Sequence, residues 1–160
     1  MNAYELALKI EDEGREYYFQ QAEKTDDTQL KQLFAMLADD EKRHAEIIRD
    51  MQQKDFEYKG TQTFQHTRRI FKERSDGKHP FVVEITNLEA YQHAIELEEK
   101  SIELYADLES KASGEKEREV LRKLKKEEQK HKAILDNLIE FIRRPETWVE
   151  SPEFTHLEEY

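Results

Sequence analysis

Apolar residues recur at steps of three and four along four long stretches of the chain, the spacing of one buried helix face. The first stretch covers about residues 3–24, with Leu6, Ala7, Ile10, Tyr17 and Tyr18 near one side. It stops at "TDDT", residues 25–28, where turn chemistry is followed by an N-cap. The second covers about residues 29–56, on a seam of Leu30, Phe34, Leu37, Glu41, His44, Ile48 and Met51. The third, about 87–110, carries Leu88, Tyr91, Ile95, Glu98, Ile102 and Tyr105. The fourth, about 115–143, carries Leu121, Leu124, Glu128, His131, Leu135, Leu138 and Ile142, and "SGE" at 113–115 turns into it. The pattern predicts four helices, with carboxylates and imidazoles at seam positions where apolar residues are expected.

One long connection, residues 57–86, separates the second and third stretches. "RSDGKHPF" within it reads as a loop, "TFQHTRRIF" as a short helix and "FVVEI" as a short extended piece. After Arg144 two prolines end helix formation. Trp148, Phe154 and Leu157 in that tail are too apolar to stay in water, so it is expected to dock on the bundle or on a neighbouring chain. The expected organisation is an all-α bundle over residues 1–144 (hairpin 3–56, crossover 57–86, hairpin 87–143) with a C-terminal tail over 145–160.

Composition narrows the function classes. With 4 Gly and 3 Pro among 160 residues, long helices are favoured over β structure. A formal net charge of −11 argues against a nucleic-acid partner, which needs clustered Lys and Arg. The absence of cysteine excludes disulfides and thiolate metal sites, and fits a reducing cytoplasm. No segment has the length and apolarity of a signal peptide or a membrane span.

A shift of 87 residues superimposes the first two helices on the last two without a gap. Glu11 meets Glu98, Tyr18 meets Tyr105, Glu41 meets Glu128 and His44 meets His131. Leu37 and Leu124, Phe34 and Leu121, and Ile48 and Leu135 match likewise. The two halves are one helical hairpin used twice. Glu11 and Glu41 are 30 residues apart about a midpoint at Asp26, inside the first turn. Glu98 and Glu128 are 30 apart about Ser113, inside the second. An antiparallel hairpin folded at its midpoint places such residues at one height on facing helices. Each Glu-x-x-His then adds an imidazole one turn along the same face. Two halves packed together deliver four carboxylates and two imidazoles to the bundle centre.

Four buried carboxylates cannot coexist without protons or cations. No Lys or Arg occupies the seam beside them, whereas two divalent metals would compensate them. Oxygen and imidazole donors without sulfur suit iron or manganese. One Glu from each of two helices, with Glu-x-x-His from each of two others, is the general pattern of di-iron and di-manganese carboxylate bundles. The competing reading is a buried polar network, and the shared register of the two motifs favours the metals. A third match, Glu153 to His156, has no repeat partner and reads as accidental. Tyr18 and Tyr105 read as core aromatics able to hydrogen-bond a ligand carboxylate or pass electrons. Glu16 and Glu103 read as solvated, His66, His79 and His93 as surface or loop residues, and the runs "DDEK" and "KKEEQK" as mostly exposed faces.

The repeated "ALKIEDEGREYY…LADDEKRH" and "AIELEEKSIELY…LKKEEQKH" resemble the rubrerythrin branch of the ferritin-like superfamily, over roughly residues 3–56 and 87–143. The resemblance implies an up-down-down-up bundle and two iron ions per site, with manganese or zinc as substitutes. It implies that Glu41 and Glu128 bridge the metals, and that Glu11 with His44 and Glu98 with His131 are terminal ligands. Rubrerythrins usually carry a four-cysteine rubredoxin domain, and this chain has no cysteine, so electrons are expected from an external, rubredoxin-like or other donor. They also tend to have an extra Glu one turn after the third-helix ligand. Here that position is Ser101, which makes the site symmetric and closer to the bacterioferritin pattern.

The leading expectation is therefore a di-iron oxidoreductase, a cytoplasmic homodimer or higher homo-oligomer that reduces hydrogen peroxide or dioxygen. It is expected to have neither a nucleic-acid nor a membrane partner. A ferroxidase or iron-storage protein using the same ligands is the second expectation, and a non-catalytic metal-stabilised interaction module is the third.

Overall fold

Two polar caps set where the first hairpin begins and turns. Asn2 accepts a 2.8 Å hydrogen bond from the Glu5 backbone N–H, and the Glu5 side chain accepts from the Asn2 backbone N–H, a reciprocal capping box. Asp27 accepts from the N–H groups of Gln29 (3.0 Å) and Leu30 (3.2 Å) and so starts the second helix inside the predicted turn. Asp27→Ala is expected to destabilise the protein by about 1 kcal/mol, read by chemical denaturation.

The computed structural model describes residues 1–53, 60–74 and 88–143. They form α1 (Ala3–Lys24), α2 (Thr28–Gln52), α3 (Thr63–Arg74), α4 (Leu88–Lys111) and α5 (Glu115–Arg143), with no strand among the described residues. The protein is all-α, as its periodicity indicates. The short helix expected from "TFQHTRRIF" is α3. α2 ends at Gln52 rather than near residue 56. Met51 is the last buried seam residue of α2, Gln52 and Gln53 are exposed, and residues 54–56 of the expected helix lie outside the described residues. "RSDGKHPF", "FVVEI" and the tail with Trp148, Phe154 and Leu157 lie outside the described residues.

Cross-contacts define the topology. Tyr18 of α1 bonds Glu98 of α4, and Tyr105 of α4 bonds Glu11 of α1, so these helices run antiparallel. His44 of α2 meets Glu127 and Glu128 of α5, while His131 of α5 meets Asp40 and Glu41 of α2, so these too are antiparallel. With a tight turn inside each hairpin, the order is up, down, down, up, and the crossover must travel the length of the bundle. α3, on that crossover, packs against α2 and α5 and stacks Phe71 on Phe141 at 5.0 Å.

The apolar core is divided in two. One cluster joins Tyr18, Leu30, Phe34, Leu37, Tyr91, Ile134 and Leu138 with Phe64, Ile70 and Phe71 of α3. The other joins Ile47, Ile48, Met51, Leu108, Val120, Leu121 and Leu124. Between them lies a polar layer.

Candidate metal centre

That layer holds all six seam residues. Glu11, Glu41, His44, Glu98, Glu128 and His131 are each no more than 3% exposed. They fall into two overlapping groups whose donor atoms lie within 4.8 Å of one another. One is Glu11, Glu41, His44 and Glu128; the other is Glu41, Glu98, Glu128 and His131. Glu41 and Glu128 belong to both. The helical hairpin explains the convergence: α1 and α4 each supply one carboxylate, α2 and α5 each supply Glu-x-x-His, and the turns bring them level.

The imidazoles reach across the bundle. His44 Nδ1 lies 2.6 Å from Glu128 Oε1 and 3.6 Å from Glu11 Oε2. His131 Nδ1 lies 2.7 Å from Glu41 Oε1 and 3.4 Å from Glu98 Oε1. The far ring nitrogens are also engaged, His44 Nε2 with Glu127 at 2.7 Å and His131 Nε2 with Asp40 at 3.0 Å. A neutral imidazole whose Nε2–H donates to a carboxylate presents an Nδ1 lone pair toward the centre, the carboxylate–histidine arrangement that orients metal ligands. Tyr18 Oη donates to Glu98 and Tyr105 Oη donates to Glu11, both at 2.5 Å, so each hairpin's tyrosine holds the other hairpin's carboxylate.

Asp40 and Glu127 correct the expectation that "DDEK" and "KKEEQK" are mostly exposed, being 2% and 6% exposed. Both sit immediately before the Glu of a Glu-x-x-His, and the 87-residue shift pairs them. That shared acidity was the available signal. Periodicity places such a residue off the seam, and only the neighbouring helix turns the position inward. Asp40→Ala with Glu127→Ala is expected to weaken ferrous binding by about 10–100-fold, measured by competition with a chelator.

Other residues are placed less centrally. Glu16, Glu103 and His93 are exposed, as expected. His66 is half-buried on α3 rather than on a loop, because α3 lays one side on the bundle. His79, Glu153 and His156 lie outside the described residues. Ser101 is buried one turn beyond Glu98, so no fifth carboxylate enters there and the two donor groups keep the same composition.

The electrostatics point to cations. Three carboxylate oxygens, Glu11 Oε2, Glu98 Oε2 and Glu128 Oε2, are buried without a hydrogen-bond partner. Among the described residues no Lys or Arg pairs with the four carboxylates. Burial, followed by the charge of Glu128, pushes Glu98 up to about 8. Burial and the charges of Glu11, Glu128 and Glu98 hold Glu41 well above the usual carboxylate range. Burial opposes charge on both histidines, but surrounding carboxylates, led by Glu128 at His44 and Glu98 at His131, outweigh it and raise both well above the ordinary value. Burial also raises Glu11, yet hydrogen bonds from Glu41, His44 and Tyr105 leave it lowered. Protons thus stand where divalent ions would neutralise the same charge, and the orphaned oxygens are free to bind them. The donor set fits two metal ions.

The Rubrerythrin family model matches residues 2–139, and so spans all four bundle helices and the polar layer. The chain belongs to the rubrerythrin family. No curated protein and no solved structure matches it. The family typically binds iron, and the Glu/His cluster is compatible with a di-iron site. No helix among the described residues is long and apolar enough to cross a membrane.

Proposed function

We propose that this member of the rubrerythrin family is a non-haem di-iron oxidoreductase that reduces hydrogen peroxide or dioxygen with electrons from an external donor. The observation that carries the reading is the pair of overlapping donor groups sharing Glu41 and Glu128. Glu11 and His44 would complete one iron position, and Glu98 and His131 the other. When bound, two ferrous ions held by these residues would supply two electrons and a Lewis-acidic template for an O–O bond. The balance for peroxide is two electrons and two protons in, two waters out.

The chain's own residues orient and insulate. Tyr18 and Tyr105 hold Glu98 and Glu11 in place. Asp40 and Glu127 fix which imidazole nitrogen faces inward. The two apolar clusters exclude bulk water from the layer between them and keep its electrostatic interactions strong. Anaerobic titration with ferrous iron, followed by peroxide, tests the reading. Two irons per chain and rapid oxidation are expected. Binding without oxidation would sink it in favour of an inert metal-stabilised module.

A further inference from the structure

The centre is two-fold symmetric in its donors, but its surroundings are not. The 87-residue shift pairs Tyr17 with Leu104 and His93 with Leu6. These positions line two equivalent grooves flanking the α1–α4 contact. One contains Tyr17, Gln20, His93 and Leu97, and the other contains Leu104, Asp107, Leu6 and Ile10, their counterparts in the same order. On the first side, rings in contact lead inward. Exposed His93 meets half-buried Tyr17 at 6.1 Å between centroids. Tyr17 meets Tyr18 at 5.5 Å, and Tyr18 meets His131 at 6.3 Å, all three edge-on, a favoured aromatic geometry. Tyr18 also bonds Glu98. On the second side, aliphatic Leu6 and Leu104 stand where His93 and Tyr17 would be.

We propose that the Tyr17–His93 groove is the port through which a one-electron donor reduces the centre, toward its Glu98–His131 half. The inference rests on the iron-based reading above. Aromatic side chains have frontier levels closer in energy to a tunnelling electron than saturated ones, so the barrier across the same span is lower on this side. The Tyr17 hydroxyl is buried without a hydrogen-bond partner, so nothing beside it takes its proton. Its ring is therefore a bridge rather than a radical station. Each transfer oxidises one donor by one electron and converts one ferric ion to ferrous; two transfers restore the reduced pair.

The absence of cysteine permits a decisive test. Gln20→Cys and Asp107→Cys place single thiols at exposed, repeat-equivalent positions, one in each groove. A ruthenium bipyridyl photoreductant is attached to each, and laser flashes inject electrons into the ferric protein. The rate of intramolecular reduction is read optically. Injection from position 20 is expected to be several-fold faster than from position 107. Tyr17→Leu should remove that advantage, and Tyr17→Phe should keep it. Equal rates from the two labels, or a rate from position 20 that Tyr17→Leu leaves unchanged, would overturn the port. Iron content and peroxide reactivity are measured first on each labelled protein. A chain that loads no iron overturns the proposed function and the port with it. One that loads and reacts but accepts electrons equally from both grooves overturns the port alone.

Discussion

Glu41→Gln combined with Glu128→Gln is expected to abolish rapid peroxide-driven oxidation and to leave the bundle folded. These carboxylates are the two members common to both donor groups, so their loss leaves each position with one Glu and one His. Changes to groups that merely support a ligand cost about 10–100-fold in affinity, and loss of two shared ligands must cost more than that range. Glutamine keeps the side-chain volume, so the layer between the two apolar clusters stays filled and no large cavity forms. It also removes a carboxyl that burial and three neighbouring carboxylates already disfavour as a charge. The metal-free double variant should therefore melt at or above the metal-free parent. Ferrous titration and stopped-flow oxidation check the first half, and circular-dichroism melts the second. Oxidation at the parental rate would remove Glu41 and Glu128 from the site.

Removing metal should reverse the pH dependence of stability. In the metal-free protein Glu41, Glu98, His44 and His131 all bind protons more tightly than in the unfolded chain. A raised folded-state pKa gives stability that is full below the unfolded value and lost as pH rises through the folded one. The loss from Glu98 spans pH 4.5 to about 8, and that from the histidines begins near pH 6.5. Each unit of displacement carries about 1.4 kcal/mol, so the total is on the order of several kcal/mol. Glu11, which is lowered, acts in the opposite direction and only on the acid side. Metals compete with these same protons, so the loaded protein gains relative stability as pH rises. Loading near pH 7 should release protons, because the metals displace those held by groups whose proton affinity burial and neighbouring charge have raised, Glu98 among them. Melting curves with and without chelator from pH 5.5 to 8.5 should diverge steadily, and calorimetry in buffers of different ionisation enthalpy should count the protons. Parallel melting curves would show that Glu41, Glu98, His44 and His131 do not exchange protons for metal.

How far the sequence carried the site depends on which residue is asked about. Glu11, Glu41, His44 and their three repeat partners were legible because a duplicated register is improbable by chance and helical geometry is rigid. Tyr18 and Tyr105 were legible as neighbours of the ligands, seven residues beyond each terminal Glu. Which carboxylate each would grip was not, because the choice depends on how one hairpin is set against the other. Asp40 was hidden for the same reason, as an off-seam acidic residue on a highly charged chain reads as solvated. The end of α2 was overrun by a few residues because the helical pattern fades gradually, whereas the Gln53 N–H closes the helix on the Asp50 and Met51 carbonyls.

The sequence by itself determined the all-α class, the duplicated hairpin and the six Glu and His side chains that converge, since these follow from spacing within a single helix or across a single short turn. The tertiary structure alone decided that Tyr18 holds Glu98, that Asp40 and Glu127 anchor the far hairpin's histidines, and that one of two equivalent grooves is aromatic to the centre. Those relations join residues 76 or more positions apart. No local periodicity encodes such pairings, because they exist only once the two hairpins have packed antiparallel and turned their off-seam positions toward each other.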